Sequence, residues 1–244
     1  MIRVITALLA LMLASSAAAS CDTLTYKGDS FTICDVNPAR EELRLFLNGP
    51  DGVPYGSFRP IEDDLATQGK ALRWAMNAGM FHPDYSPVGH LVMDSVEEKQ
   101  VITGASSGNF GLLPNGVFCI REDRADVIET LAYVARTPDC TYATQSGPML
   151  VIEGELHPRF LPDGTSINIR NGVGTSEDGS RVVFAISNTP VTFHEFGSFF
   201  RDFLNLDQAL YFDGRVSRLY APGLEREDAG FELGPMVGVV VSTN

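Results

Sequence analysis

The chain has 244 residues, 44% hydrophobic and 20% charged, the balance of a globular protein with length for one large core or two small ones. Its net charge of −13 is spread along the sequence as a solvated surface, and no basic cluster is present to hold nucleic acid. An anionic ligand is repelled at long range by such a chain and needs a local arginine or backbone donors.

The first segment reads as a targeting element. Met1-Ile2-Arg3 is a short basic start, Val4 to Ala14 is apolar, and Ala17-Ala18-Ala19 offers a small-residue cleavage site. The expectation is a secretory signal peptide over 1–19 and an exported, periplasmic or secreted, mature domain over 20–244. The apolar run is short of the roughly 20 residues that span a bilayer. Cys21 raises a lipoprotein alternative, against which Ala18-Ala19-Ser20 lacks the usual large aliphatic residue. No later segment reads as a stable membrane span. Four cysteines, Cys21, Cys34, Cys119 and Cys140, form an even set, which in an oxidising compartment suggests two disulfides. Of three pairings, Cys21–Cys34 and Cys119–Cys140 close the shortest loops and are favoured.

Phe31 to Cys34 and Glu42 to Leu47 read as strands joined through Asn37-Pro38. Ser57 opens a helix to about Gln68, with Phe58, Ile61 and Leu65 on one face and Gly69 as its stop. Leu72 to Met76 is an apolar strand that delivers Asn77-Ala78-Gly79-Met80-Phe81 into a loop. Strands follow at His90 to Asp94, Gln100 to Ile102 and Gly116 to Ile120, and Ile128 to Arg136 stays open between helix and strand. Gln145-Ser146-Gly147-Pro148 precedes a strand from Met149, with a turn at Glu153-Gly154-Glu155. Ile169 to Thr175 pairs with Arg181 to Ser187 across Glu177-Asp178-Gly179. Thr192 opens the clearest helix, with Phe193, Phe196, Phe200, Phe203 and Leu204 at helical spacing. Ala209 to Phe212 and Pro235 to Val241 are buried strands. The sum is an α+β fold, a single compact domain with a strand-rich mixed sheet core and a few packed helices.

Phosphate-loop, dinucleotide and nucleophile-elbow signatures are absent. There is no Cys-x-x-Cys, and His82, His90, His157 and His194 lack metal-ligand spacing, so neither a metal nor a cofactor is expected. What remains is a set of polar residues at strand ends beside small ones: Asn77 with Gly79, Ser146 with Gly147, Arg170 with Gly172, and Asp213 with Gly214. Gathered in one cleft, an amide, a hydroxyl, a guanidinium and a carboxylate suit a phosphorylated or sugar-like ligand. Bland readings stand beside these. Arg170 can pair with a surface acid, Asn77 can be a turn residue, Ser146 can cap backbone, and Asp213-Gly214 can be a solvated turn. The residues alone reach a secreted hydrolase or a binding protein.

The same residues carry a resemblance. From Leu72 onward the chain is similar to the phosphodiester glycosidase family. Asn77-Ala78-Gly79-Met80-Phe81 resembles its Asn-Gly-Gly-Phe-Phe segment, and Pro87-Val88-Gly89 its Pro-x-Gly. Ser146-Gly147-Pro148-Met149-Leu150 matches Ser-Gly-Pro-x-Leu, and Arg170 to Gly174 sits at Arg-Thr-Ala-x-Gly. Leu210 to Gly214 with Ser217 fits Asn-Leu-Asp-Gly-Gly-Gly-Ser. Ala78, Arg215 and Val216 stand where the family keeps glycine. The resemblance implies hydrolysis of a small-molecule or glycan sugar-1-phosphodiester, such as an N-acetylglucosamine-1-phosphodiester, to a free sugar and a phosphomonoester. On that pattern Asp213, Asn77 and Arg170 are the catalytic group. Asp213 serves the anomeric centre or its water, and Arg170 the phosphate. Gly79, Ser146, Gly147, Gly214 and Ser217 line the substrate. His194 or Glu195 is a second acid/base group, or both belong to a solvated helix face, the favoured reading. The competing class is a non-catalytic cell-envelope protein that binds a glycan or phosphate on the same fold.

Overall fold

A computed structural model describes residues 21–243. The proposed signal peptide lies outside the described residues. Strands run in chain order as β1 (Cys21–Tyr26), β2 (Asp29–Val36), β3 (Glu42–Phe46), β4 (Lys70–Asn77), β5 (Leu91–Met93) and β6 (Val96–Lys99). The middle of the chain supplies β7 (Gly116–Ile120), β8 (Ala125–Glu129), β9 (Tyr142–Ser146), β10 (Met149–Ile152) and β11 (Glu155–Leu156). The last third supplies β12 (Asn171–Thr175), β13 (Val182–Ser187), β14 (Gln208–Asp213), β15 (Leu219–Ala221), β16 (Arg226–Glu227) and β17 (Met236–Ser242). Helices are α1 (Phe58–Thr67), α2 (Thr130–Arg136) and α3 (Phe193–Ser198).

Three sheets result, ordered β1-β2-β13-β12-β14-β10-β11, β16-β15-β4-β17-β3 and β6-β5-β9-β7-β8. The α+β expectation holds, with one correction: the ladders are antiparallel throughout rather than mixed. Each sheet turns one face to a shared core holding Trp74, Met76, Phe118, Phe184, Leu210, Phe212 and Val239. Period-2 alternation therefore splits β14 cleanly. Leu210 and Phe212 enter this core, while Ala209 and Tyr211 face the α3 side.

The phenylalanine stripe packs there in part: Phe196 and Phe200 are fully buried against Leu150 and Tyr211, joined by Phe199, which stacks on Phe31, while Phe193 is only partly buried and Phe203 is exposed. Each such ring contributes about 1.5–3 kcal/mol of burial. Thr192 starts α3 with a capping box, its hydroxyl accepting from Glu195 N and the Glu195 carboxylate accepting from Thr192 N. The helix passes into a π-turn over Phe199–Phe203, a detail the stripe alone does not predict. On the second sheet, α1 lays Phe58, Ile61 and Leu65 on Leu72 and Met236. Ser57 stands at its N-cap without a side-chain bond, and Gly69 ends it at φ +67.

Two readings shift. The strand expected at Gln100 to Ile102 forms earlier, as β6, and pairs with β5. Ile128 to Arg136 divides: its start completes β8, and Glu129 then caps α2 by accepting from Ala132 N. Both disulfides join the favoured partners. Cys21–Cys34 staples the β1–β2 hairpin and Cys119–Cys140 ties β7 to the segment after α2. Among the described residues no helix is long and apolar enough to cross a membrane.

Candidate active site

Four strand ends meet at one corner of the molecule: the C-termini of β4, β9 and β14 and the N-terminus of β12. Antiparallel pairing sets β12 against β14 so that Asn171 faces Asp213. A register shift after Asn171 leaves Phe212 as the extra residue of a bulge. The Phe212 carbonyl accepts from Ser146 Oγ at 2.8 Å. Ser146 is thus beside the corner, fully buried, with its hydroxyl engaged by backbone.

Asn171 is the hub, and the sequence reading did not single it out. Its Nδ2 donates to the Asn77 carbonyl at 2.8 Å and to Asn77 Oδ1 at 3.0 Å. Its Oδ1 accepts from Asn77 Nδ2 at 3.2 Å and from Asp213 N at 3.2 Å. Asn77 Oδ1 also accepts from Arg218 N at 2.9 Å. Ser217 Oγ donates to the Asp213 carbonyl at 2.8 Å, with Asn171 Oδ1 at 3.3 Å. Asn77, Asn171, Asp213 and Ser217 therefore form one network. Asn77 and Asn171 are buried, so each amide must be satisfied internally. The available signal was an amide residue beside Arg170 and Gly172 at the start of a strand.

Asp213 ends β14, and its half-buried carboxylate faces the turn that follows. Its Oδ1 accepts from Arg215 N at 2.7 Å, and the peptide N–H groups of Gly214 and Val216 also favour its charged form. Burial outweighs them and pushes its pKa above the ordinary carboxylate value. A carboxyl raised toward neutrality at a strand end has the character of an acid/base or nucleophilic group. The cradle is made by backbone, so the side chains of Arg215 and Val216 leave it intact.

Arg170 lies on the other side of β12. Its side chain is fully buried, with the guanidinium carbon 3.6 Å from the Phe193 ring centroid. Nε donates to Val191 O at 2.9 Å, Nη2 to Ser166 O at 2.9 Å and Nη1 to Tyr211 Oη at 3.3 Å. Every acceptor is neutral, and no carboxylate pairs with it among the described residues. Burial lowers its pKa, yet a guanidinium stays charged in proteins. The surface ion pair that was the bland alternative is absent. Arg170 reaches the corner through Tyr211, whose hydroxyl occupies the space beside Gly214: a Cβ there would stand 1.9 Å from Tyr211 Oη. Burial pushes the Tyr211 pKa up, so the phenol is neutral.

The other glycines answer to close packing. A Cβ at Gly147 would lie 2.6 Å from Asn115 Cβ, and one at Gly79 would lie 3.0 Å from Thr144 Oγ1. Glu195 is taken up in the α3 capping box and is not beside Asp213. Among the described residues no group of three or more His, Cys, Asp or Glu side chains is arranged to hold a metal ion.

Comparison with known proteins fits this corner. The family model for phosphodiester glycosidase matches residues 70–232, which takes in every residue from Asn77 to Ser217. The chain belongs to the phosphodiester glycosidase family. The match begins at β4, as the resemblance implies, and stops short of β17. An uncharacterised Escherichia coli (strain K12) protein, YigE, is 32% identical over 188 residues, 77% of this chain and 73% of that protein. Among solved structures, the catalytic domain of zebrafish N-acetylglucosamine-1-phosphodiester alpha-N-acetylglucosaminidase, auto-inhibited by its pro-peptide, superposes with a TM-score of 0.60. That alignment covers 91% of this chain and 82% of that one at 15% identity. A hypothetical protein from Synechocystis gives a TM-score of 0.55 at 12% identity, covering 91% of this chain and 61% of its own. At such identities these two structures establish the phosphodiester glycosidase fold and nothing finer.

Proposed function

We propose that this family member is an exported hydrolase that cleaves sugar-1-phosphodiesters to a free sugar and a phosphomonoester, with Asp213 as its catalytic carboxylate. The observation that carries the reading is the state of Asp213: a carboxyl raised by burial, cradled by three consecutive peptide N–H groups and tied through Asn171 to Asn77. A phosphate monoester leaves readily, because its second pKa is about 6. The reaction therefore depends less on a proton donor than ordinary glycoside cleavage does. It needs a carboxylate for the anomeric carbon or its water, and positive charge for the departing phosphate. Asp213 supplies the first. Arg170, a buried cation without a counter-ion, supplies the second through Tyr211. Asn77, Ser146 and Ser217, with the backbone at Gly79, Gly147 and Gly214, shape the wall. The fold neighbour from zebrafish supports N-acetylglucosamine-1-phosphodiesters as the first substrates to try. Two disulfides and the signal-like start support export over a mature chain of 20–244.

The saturation of Asn77, Asn171 and Ser146 by internal hydrogen bonds favours a second reading, a non-catalytic envelope protein that binds the same ligand. Asp213→Asn separates the two. In a hydrolase it lowers sugar release from an aryl-phosphate-linked N-acetylglucosamine by about 10²- to 10⁴-fold while binding survives. A wild-type protein that frees no sugar from a panel of such diesters rules out the hydrolase.

A further inference from the structure

The turn that cradles Asp213 does so with backbone, and its side chains go different ways. Gly214 is closed off by the Tyr211 hydroxyl. Val216 packs against the apolar cluster under α1, which holds Phe58 and Ile61. Ser217 Oγ turns back to the Asp213 carbonyl. Arg218, on the same loop, gives its guanidinium to the carbonyls of Asp228 and Phe231, each at 2.8 Å. Arg215 extends to solvent, and its side chain has no hydrogen bond or ion pair among the described residues. An arginine without an ion pair is ordinary in this chain, so the charge alone decides nothing. What sets Arg215 apart is its place, two residues from Asp213 and near enough that its charge favours the ionised carboxylate.

An anion that reaches Asp213 needs hydrogen-bond donors, and the other donors of this corner are already engaged. Asn77 Nδ2 donates to Asn171 Oδ1, and Asn171 Nδ2 to the Asn77 carbonyl. Ser146 Oγ donates to Phe212 O and Ser217 Oγ to Asp213 O. The N–H groups of Gly214, Arg215 and Val216 serve the Asp213 carboxylate. Arg170 is fully buried, and its three nitrogens donate to two carbonyls and to Tyr211 Oη. Its field passes through Tyr211, but its hydrogens do not reach the surface. The Arg215 guanidinium keeps its whole fork of N–H donors for a ligand.

We propose that Arg215 sets the charge specificity of the site: its guanidinium binds the scissile phosphodiester directly and holds the phosphomonoester as it departs. The inference rests on the hydrolase reading above. In that reaction water gives its hydroxyl to the anomeric carbon and its proton to solvent. The bond from that carbon to the bridging oxygen breaks, and its electron pair leaves with the phosphate. Negative charge therefore grows on the phosphate, one oxygen away from the carbon that Asp213 serves. A planar guanidinium offering two parallel N–H groups to a pair of phosphate oxygens meets that growth. On a chain of net charge −13, the same arginine gives an anionic substrate its local attraction.

The two products separate this contact from a structural effect. With aryl-phosphate-linked N-acetylglucosamine as substrate, Arg215→Ala is expected to lower kcat/KM by about 10- to 100-fold. It is expected to raise the inhibition constant of phenyl phosphate by about tenfold, while free N-acetylglucosamine inhibits both proteins alike. Arg40→Ala removes an exposed positive charge at the end of the β3–β17–β4 ladder away from Asn77, and leaves these constants unchanged. If Arg215→Ala leaves inhibition by phenyl phosphate unchanged, or weakens inhibition by both products equally, the proposal is overturned. In the first case a displaced acid limb of kcat/KM assigns Arg215 to tuning Asp213 instead. A titration needs no turnover. Phenyl phosphate is expected to shift the amides of Gly214 and Val216 in the 15N-labelled chain, with an apparent affinity about tenfold weaker in Arg215→Ala. If no diester releases sugar, the hydrolase reading fails and this titration alone decides Arg215: absent shifts, or an affinity the substitution leaves unaltered, overturn the contact.

Discussion

The β12–β14 pair ends in two unlike ways. At Thr175 and Gln208 it opens on a roomy cleft of about 880 Å³. There Asp126 is buried between Arg121 and Arg124, with Arg124 Nε donating to Asp126 Oδ2 at 3.1 Å. Charge in that cleft is answered by charge. At Asn171 and Asp213 the same pair ends in a closed corner of amides, peptide N–H groups and a cation that faces only neutral acceptors. Volume follows how loops splay from the sheet. Chemistry follows groups that folding has desolvated without neutralising, because a ligand can complement those. By that measure the proposed function belongs at the smaller end.

The sharpest way to break the comparison is to exchange the hub. Asn171→Leu leaves Asn77 Nδ2 and the Asp213 N–H without partners in a buried place. It is expected to cost about 3 kcal/mol in urea unfolding and to lower sugar release at least 10²-fold. If turnover stays at the wild-type level, the network is structural alone. The same surgery at the other end should separate the two effects. Asp126→Ala leaves two arginines facing each other, half screened by water, and is expected to cost about 2 kcal/mol with kcat/KM unchanged. A parallel fall in activity would mean that the large cleft takes part in the reaction.

Gly214→Ala probes the join between the two faces of β12. The new Cβ would stand 1.9 Å from Tyr211 Oη, so the phenol must swing off Arg170. About a tenfold loss of turnover with little change in substrate binding is expected, since strain of this kind displaces groups by about an ångström. Restoring space with Tyr211→Phe in the same chain should recover part of that loss if crowding is its cause. No recovery would assign the loss to the turn itself.

How legible these ends were in the sequence follows from what each residue depends on. The apolar runs Leu72 to Met76, Gly116 to Ile120 and Ala209 to Phe212 are strands because buried strands need nothing more than continuous apolar character. The phenylalanine stripe after Thr192 is a helix for the same local reason. Asp213, Asn77 and Ser217 were readable because a polar residue at a strand end beside glycine is a local pattern, strengthened by family resemblance. Asn171 was not. It is a strand residue between Arg170 and Gly172, and only the meeting of β4 with β12, 94 residues apart in sequence, makes it the hub. Arg170 was legible in the sequence as a candidate, but its burial behind Tyr211 depends on which face of β12 it takes. Alternation says only that Arg170 and Asn171 take opposite faces. The split of Ile128 to Arg136 into strand and helix likewise turns on the partner strand β7 and the Glu129 cap.

The smallest expected effect concerns pH, and it tests which force governs Asp213. Burial raises its pKa and the amide cradle lowers it, with burial the larger. A carboxyl whose folded pKa exceeds its unfolded value binds more protons in the native state. Stability then falls as pH rises from the ordinary value of 3.8 through the raised native value, and it is flat above that. Asp213→Asn removes this dependence while its carbonyl can still accept from Arg215 N. Melting temperatures of the wild type and the variant, measured side by side from about pH 3 to pH 8, should therefore diverge with the variant gaining as pH rises. In the same window the acid limb of kcat/KM should lie above 3.8 if the proposed reaction uses the ionised Asp213 carboxylate. If instead the wild type gains on Asp213→Asn with rising pH, the cradle outweighs burial. Asp213 is then an ordinary low-pKa turn acid, and the contrast between the two ends of the strand pair rests on Arg170 alone.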